Sequence, residues 1–238
     1  ANRPLRTHAQ LTMSSHNPQA WFFDFDGVLL DTAIIKAQLF LELLPGLTPT
    51  QTEATVDFCL TEGGMPRREK FIHIHRHILN TPLTAAGLEA LVKKYTERVL
   101  SRVLKASFLP GAMEAITSPN EGALRFVISG TPHDEINAIC NHLKISRHFE
   151  RIVGSPTSKQ DWIGKILNNY GLGSRQAVMI GDSLTDWQAS QDTGIAFLGI
   201  DAHDLEILPD SETVFPDLRQ LKSKIARLIQ PVKLETSP

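Results

Sequence analysis

The chain is 238 residues long, with 42% hydrophobic and 21% charged residues and a formal net charge of −2. That composition excludes a disordered or fibrous chain, and the near-neutral balance gives no bulk attraction to nucleic acid or anionic lipid. No apolar run outlasts Ala20–Phe23 or Ala177–Ile180, so neither a membrane-spanning helix of about 20 apolar residues nor a signal peptide is expected.

Residues 1–19 are polar and irregular and read as a loose tail. The aromatic run in Trp21-Phe22-Phe23-Asp24-Phe25-Asp26-Gly27 reads as a buried strand that stops at Asp and Gly. Four helical stretches follow, Ala33–Leu44, Gln51–Glu62, Arg67–Leu79 and Ala85–Leu104, punctuated by Gly and Pro. No strand pattern interrupts them. After Pro110-Gly111 a helix around Met113 and Ile116 leads to a strand at Leu124–Ser129. Ile136, Ile139, Cys140 and Leu143 then recur at helical spacing. A strand at Phe149–Val153, a helix through Trp162, Ile166 and Tyr170, and strands at Ala177–Ile180 and Ile195–Ile200 complete the pattern. This alternation predicts an α/β fold with a doubly wound parallel sheet. Residues 20–32 and 107–238 would form the core, and 33–106 an all-helical insertion after the first strand. Cys59 and Cys140 stand far apart. They form neither a disulfide framework nor a zinc cluster, which points to a reducing, cytoplasmic setting.

In such sheets ligands bind at the carboxyl ends of the strands. Asp24 and Asp26 sit there two residues apart, and a strand period of two would put both side chains on one face. Gly181-Asp182-Ser183-Leu184-Thr185-Asp186 follows a later strand. Alone, Asp182 or Ser183 reads as a helix cap. Together with Asp24 they would crowd several carboxylates into one crevice, a cost that a cation relieves. All-oxygen ligands of this kind suit Mg²⁺. Ser129-Gly130-Thr131 ends another strand, where a hydroxyl and backbone N–H groups can hold an anion or simply turn the chain. Lys159, just before a helix, reads as a solvated surface residue or as a neutraliser of a nucleophile and of phosphoryl oxygens. His73 and His77 lie four apart on a helix, with no acidic partner at metal-site spacing, and read as a polar face.

Taken in order, these segments resemble the haloacid dehalogenase (HAD) superfamily. The likeness is to the subgroup with a helical cap after the first motif, close to phosphoglycolate phosphatases and β-phosphoglucomutase-like phosphatases. Asp24 to Thr32 resembles the first motif, Ser129-Gly130-Thr131 the second, Lys159 the third and Gly181 to Asp186 the fourth. The resemblance implies that Asp24 attacks phosphorus and that Asp26 serves as acid and base. It implies Mg²⁺ held by the Asp24 and Asp182 carboxylates and the Asp26 backbone carbonyl, with Asp186 supporting the shell directly or through water. Ser129 and the Gly130 N–H would hold phosphoryl oxygens, and Lys159 would balance charge. Arg67, Arg68 and Lys70 follow Gly63-Gly64-Met65-Pro66 in the cap, where one of them would reach an anionic group on the substrate. The expected partner is a small phosphorylated metabolite, with no nucleic acid or membrane, acted on by a monomer or homodimer. A phosphosugar mutase and a non-catalytic sugar-phosphate binding protein remain as alternatives.

Overall fold

The computed structural model describes residues 18–118, 123–209 and 213–228. Most of the tail expected over 1–19 lies outside them. Gln19 lies inside and is anchored, for its N–H donates to the Gln176 carbonyl and its carbonyl accepts from Leu124. Six parallel strands form one sheet: β1 (Ala20–Phe23), β2 (Leu124–Pro132), β3 (Arg151–Ser155), β4 (Ala177–Gly181), β5 (Ala196–Ile200) and β6 (Val214–Phe215). Their spatial order is β3-β2-β1-β4-β5-β6. The short helix α5 (Ala112–Thr117) precedes β2, and α6 (His133–His142), α7 (Lys159–Tyr170), α8 (Leu184–Thr193) and α9 (Leu221–Leu228) complete the core.

β1 shows why the sheet is covered on both faces. Phe22 packs with Phe126, Ile128, Ile163 and Ile166 on the α7 side. Phe23 packs with Val127, Ile136, Ile139 and Ile116 on the α5–α6 side. Both rings are fully buried, and burying a side chain of this size stabilises by about 1.5–3 kcal/mol. A strand buried on both faces has no polar alternation, which is why these strands read as continuous apolar runs.

Between β1 and α5 lie four helices: α1 (Ala33–Leu43), α2 (Pro49–Thr61), α3 (Arg67–His73) and α4 (Ala85–Val103). Phe40, Phe71 and Tyr95 from three of them share one aromatic cluster, with the Phe40 centroid 4.7 Å from each of the other two. The chain leaves and re-enters the core side by side. The Leu109 N–H donates to the Leu29 carbonyl and the Asp31 N–H to the Ser107 carbonyl. No helix among the described residues is long and apolar enough to cross a membrane.

Several boundaries differ from the sequence pattern. α2 starts at Pro49 rather than Gln51, because Thr48 and Gln51 form a reciprocal capping box with Pro at the first position. The single helix expected over Arg67–Leu79 is α-helical only to His73 and continues as a π-helical turn, Ile74–Ile78. Phe149 belongs to no strand; it serves the core from a loop, against Phe23, and β3 starts two residues later. β6 is too short to show a period.

Candidate active site

The strand order decides which loops meet. β1 lies between β2 and β4, so the loops after all three converge at the carboxyl edge where the strand order reverses. Asp24 follows β1, and its N–H donates to the Ile180 carbonyl of β4. Its carboxylate is buried and accepts from the Phe25 N–H at 2.7 Å. Lys159, at the start of α7, sends Nζ to within 3.0 Å of Asp24 Oδ2 and 2.5 Å of Asp186 Oδ1. The other Asp186 oxygen accepts from the Ser183 hydroxyl at 2.6 Å. Asp182 leaves β4 with its carboxylate against the Gly27 backbone, where an added Cβ would sit 1.8 Å from Oδ2. One oxygen from each of Asp24, Asp182 and Asp186 lies within 4.8 Å of the others.

Packing three carboxylates around one ammonium leaves negative charge in excess. Burial, with help from Asp186 and Asp26 and against Lys159, pushes Asp24 up to about 7. Burial and the neighbouring Asp24 and Asp186 push Asp182 well above the usual carboxylate range. Lys159 moves the other way from its burial, since Asp186 and Asp24 hold its proton tightly. Asp182 Oδ1 is buried and has no hydrogen-bond partner among the described residues. Such an orphaned oxygen costs about 1–3 kcal/mol unless something fills its lone pairs.

Asp26 faces a different environment. The strand stops at Phe23, so the period-two argument does not reach Asp26; its position comes from the loop. Its carboxylate accepts from Thr32 Oγ1 at 2.5 Å and Lys36 Nζ at 2.6 Å, with Thr131 Oγ1 at 3.3 Å. Burial alone would raise this group, but Lys36 and the hydroxyls outweigh it and hold Asp26 below its ordinary value. Nothing in the sequence pattern singles out Lys36. Ser129 and Gly130 lie where β2 ends; the Ser129 hydroxyl accepts from the Thr131 N–H at 3.1 Å. Gly130 lies under the Gly64 carbonyl, which an added Cβ would meet at 2.2 Å.

The three basic residues after Gly64 part company. Arg67 pairs with Glu135 at 2.6 Å, donates to Thr96 at 2.7 Å and lies over the Tyr95 ring. Arg68 is exposed and pairs with Glu89 on the surface, away from the acidic cluster. Lys70 is buried and donates to the Cys59 carbonyl at 2.8 Å. Arg67 and Lys70 line a cavity that also takes in Asp26, Lys36, Phe40 and Asp182. His73 stacks flat on Phe58 at 3.9 Å, which accounts for it by packing.

A family model described as haloacid dehalogenase-like hydrolase matches residues 21–200. A phosphoglycolate phosphatase of Pseudomonas savastanoi pv. phaseolicola is 24% identical over 217 residues, covering 86% of this chain and 78% of that protein. A 5'-nucleotidase of Pseudomonas aeruginosa is 29% identical over 194 residues, covering 75% of this chain and 80% of that one. Among solved structures, a predicted phosphatase from Clostridium acetobutylicum has a TM-score of 0.67 at 18% identity, covering 89% of this chain and 100% of that chain. CbbY from Rhodobacter sphaeroides, in complex with phosphate, has a TM-score of 0.67 at 16% identity, covering 86% and 96%. The structural likenesses concern the fold. The family match spans both strands that carry the acidic cluster and the loops between them, and the chain belongs to the haloacid dehalogenase-like hydrolases.

Proposed function

We propose that the chain is a Mg²⁺-dependent phosphatase that hydrolyses a small phosphomonoester metabolite through a phosphoryl group carried on Asp24. The observation that carries this reading is the division of labour between Asp24 and Asp26. One carboxylate joins the acidic cluster with Lys159, and the other is held apart by Lys36 and Thr32. A nucleophile and a separate acid–base group are what hydrolysis in two steps needs. Relatives named as phosphoglycolate phosphatase and 5'-nucleotidase support a phosphomonoester as substrate.

The residues present fit the cation. The donor set is all oxygen, its negative charge exceeds what Lys159 balances, and Asp182 Oδ1 is an open lone-pair site. The Asp24 and Asp182 carboxylates and the Asp26 backbone carbonyl would hold it, with Asp186 in support. Its contribution when bound is positive charge that lets a carboxylate approach a phosphate dianion. That repulsion is roughly 4 kcal/mol per pair of unit charges at 4 Å and an effective dielectric of 20.

The chain's own residues do the rest. An Asp24 oxygen forms a bond to phosphorus while the ester P–O bond breaks. Asp26 gives its proton to the leaving oxygen. A water then attacks the same phosphorus, Asp26 takes one of its protons, and the bond to Asp24 breaks. Lys36 favours the ionised Asp26 that the second step uses, while the charge developing on the leaving oxygen favours the protonated form in the first. Ser129 and the Gly130 N–H hold phosphoryl oxygens. Residues 33–106 act as the cap that keeps bulk water out. The free, buried thiols of Cys59 and Cys140 support a reducing compartment.

The test is phosphate release from simple phosphomonoesters, with Mg²⁺ and with a chelator. Free phosphate is the expected product, rather than an isomerised phosphosugar, and the chelator should abolish its release. Asp24→Asn should lower kcat by roughly a thousandfold or more without lowering Tm, since the buried charge it removes is one the fold disfavours. Equal turnover by the two proteins ends the assignment of Asp24.

A further inference from the structure

One stretch of the helical insertion carries histidines that the hydrolase reading does not use. His73 ends α3, and His75 and His77 lie on the π-helical turn that follows it. Turns of this kind recur at functional sites. His75 is engaged, with Nδ1 2.9 Å from Thr81 Oγ1. Neither His73 nor His77 has a hydrogen-bond partner among the described residues. Stacking on Phe58 accounts for the plane of the His73 ring and leaves its nitrogens idle.

The two rings are spaced for a shared ligand. Their centres are 4.6 Å apart and their planes are tilted by 44°. An imidazole nitrogen holds a transition metal at about 2.0–2.1 Å, which sets the ion about 3.2 Å from the ring centre. Two such arms meeting at about 90–110° leave the ring centres about 4.5–5.2 Å apart. The observed spacing falls in that range with the backbone where it stands. His77 is exposed and free to turn its nitrogen toward the shared point, while Phe58 holds the other arm still. Holding one arm in advance lowers the entropy lost on binding. His73 is also biased toward the protonation state a metal needs. Burial and the nearness of His77 lower its proton affinity, with Glu62 pulling the other way, and neutral imidazole is the form that binds a metal. Glu62, at the end of α2, brings a negative charge to the same place. No spacing within α3 could reveal that partner, because it belongs to another helix.

We infer that His73 and His77 form a two-imidazole site for a divalent transition metal of the Ni²⁺, Cu²⁺ and Zn²⁺ class, with water in the remaining positions. Its nitrogen ligands set it apart from the acidic cluster of the core, since oxygen donors suit Mg²⁺ whereas imidazole suits the transition metals. The inference is independent of the phosphatase reading. A pair kept for packing alone would be indifferent to metal.

The test is Ni²⁺ binding by calorimetry to the full chain carrying Asp182→Asn, which cripples the acidic cluster and should leave one Ni²⁺ site intact. Adding His77→Ala, a change at an exposed side chain, should weaken that site at least about tenfold, the lower end of what losing even an outer partner of a ligand costs. His73→Phe keeps a ring stacked on Phe58 and should do the same. Bound Cu²⁺ should show splitting from two nitrogens by electron paramagnetic resonance, and from fewer in either histidine variant. Unchanged Ni²⁺ affinity in both histidine variants overturns the proposal. So does loss of all binding in Asp182→Asn, which would assign the ion to the acidic cluster. Binding no tighter than about 1 mM is an adventitious ion only and overturns it as well.

Discussion

A methyl group at Gly27 would collide with the acidic cluster. Gly27 has φ +74°, and a Cβ there would lie 1.8 Å from Asp182 Oδ2. Gly27→Ala should therefore turn Asp182 away and weaken Mg²⁺ binding at least about tenfold by calorimetry. The positive φ adds only about 1–2 kcal/mol of backbone cost, so the fold should survive. Unchanged Mg²⁺ affinity in a folded variant would show that Asp182 does not bind the ion. At this scale the acidic residues were readable, because Asp24, Asp26, Asp182 and Asp186 stand in short motifs in a fixed order. Lys36 and Arg68 were not. α1 carries apolar residues on every side (Ile34, Ile35, Leu39, Phe40, Leu41), so no polar stripe tells which way Lys36 points. Arg68 and Lys70 are two apart in sequence, and only the packed helix shows that one faces Glu89 while the other is buried.

Among the elements, the turn at Gly63-Gly64 connects the helical insertion to the core. The Gly64 N–H donates to Thr185 Oγ1 at 2.9 Å, and Thr185 and Ser183 hydroxyls meet at 2.8 Å. Ser183 gives its proton to Asp186, which can only accept, so Thr185 must be the donor to Ser183. The chain thus runs one way, from the turn to the carboxylate beside Lys159. A Cβ on Gly64 would come within 2.3 Å of Thr185 Oγ1 and 2.9 Å of Lys159 Nζ. Gly64→Ala should lower kcat/KM by about tenfold or more, in keeping with small displacements at a reacting centre. Its circular dichroism should match the wild type, and an unchanged kcat/KM would mean that the turn need not seat for turnover. Helix periodicity marked out this region as helical, but the turn's partners were beyond it. Gly64 and Thr185 are 121 residues apart, and no local pattern reports such a contact.

For the whole molecule, the alternation of strands and helices was legible because each strand is an apolar run bounded by polar turns. The strand order was not, since it depends on pairings between distant segments, and β6 is too brief to leave a pattern. The end of the described chain depends on Asp217. It accepts from the Arg219 side chain at 2.8 Å and Lys224 at 3.3 Å, and chiefly through Arg219 is held below its ordinary value of 3.8. A depressed carboxylate stabilises the fold above its unfolded pKa, and the effect fades as pH falls through the folded one. Asp217→Asn should cost about 1–2 kcal/mol in urea unfolding at pH 7, and the gap should narrow below about pH 4. An equal gap at both pH values would separate the effect from that charge. The central place of β1 also matters before the protein is finished. Both of its neighbours, β2 and β4, are encoded downstream of the helical insertion. On a ribosome adding about 5–20 residues per second, Asp24 emerges roughly 10–30 s ahead of Asp182. Until β2 emerges both edges of β1 are bare, and for the rest of that interval its β4 edge stays open, so nascent chains stalled before β4 are the stage at which chaperone capture or aggregation should concentrate.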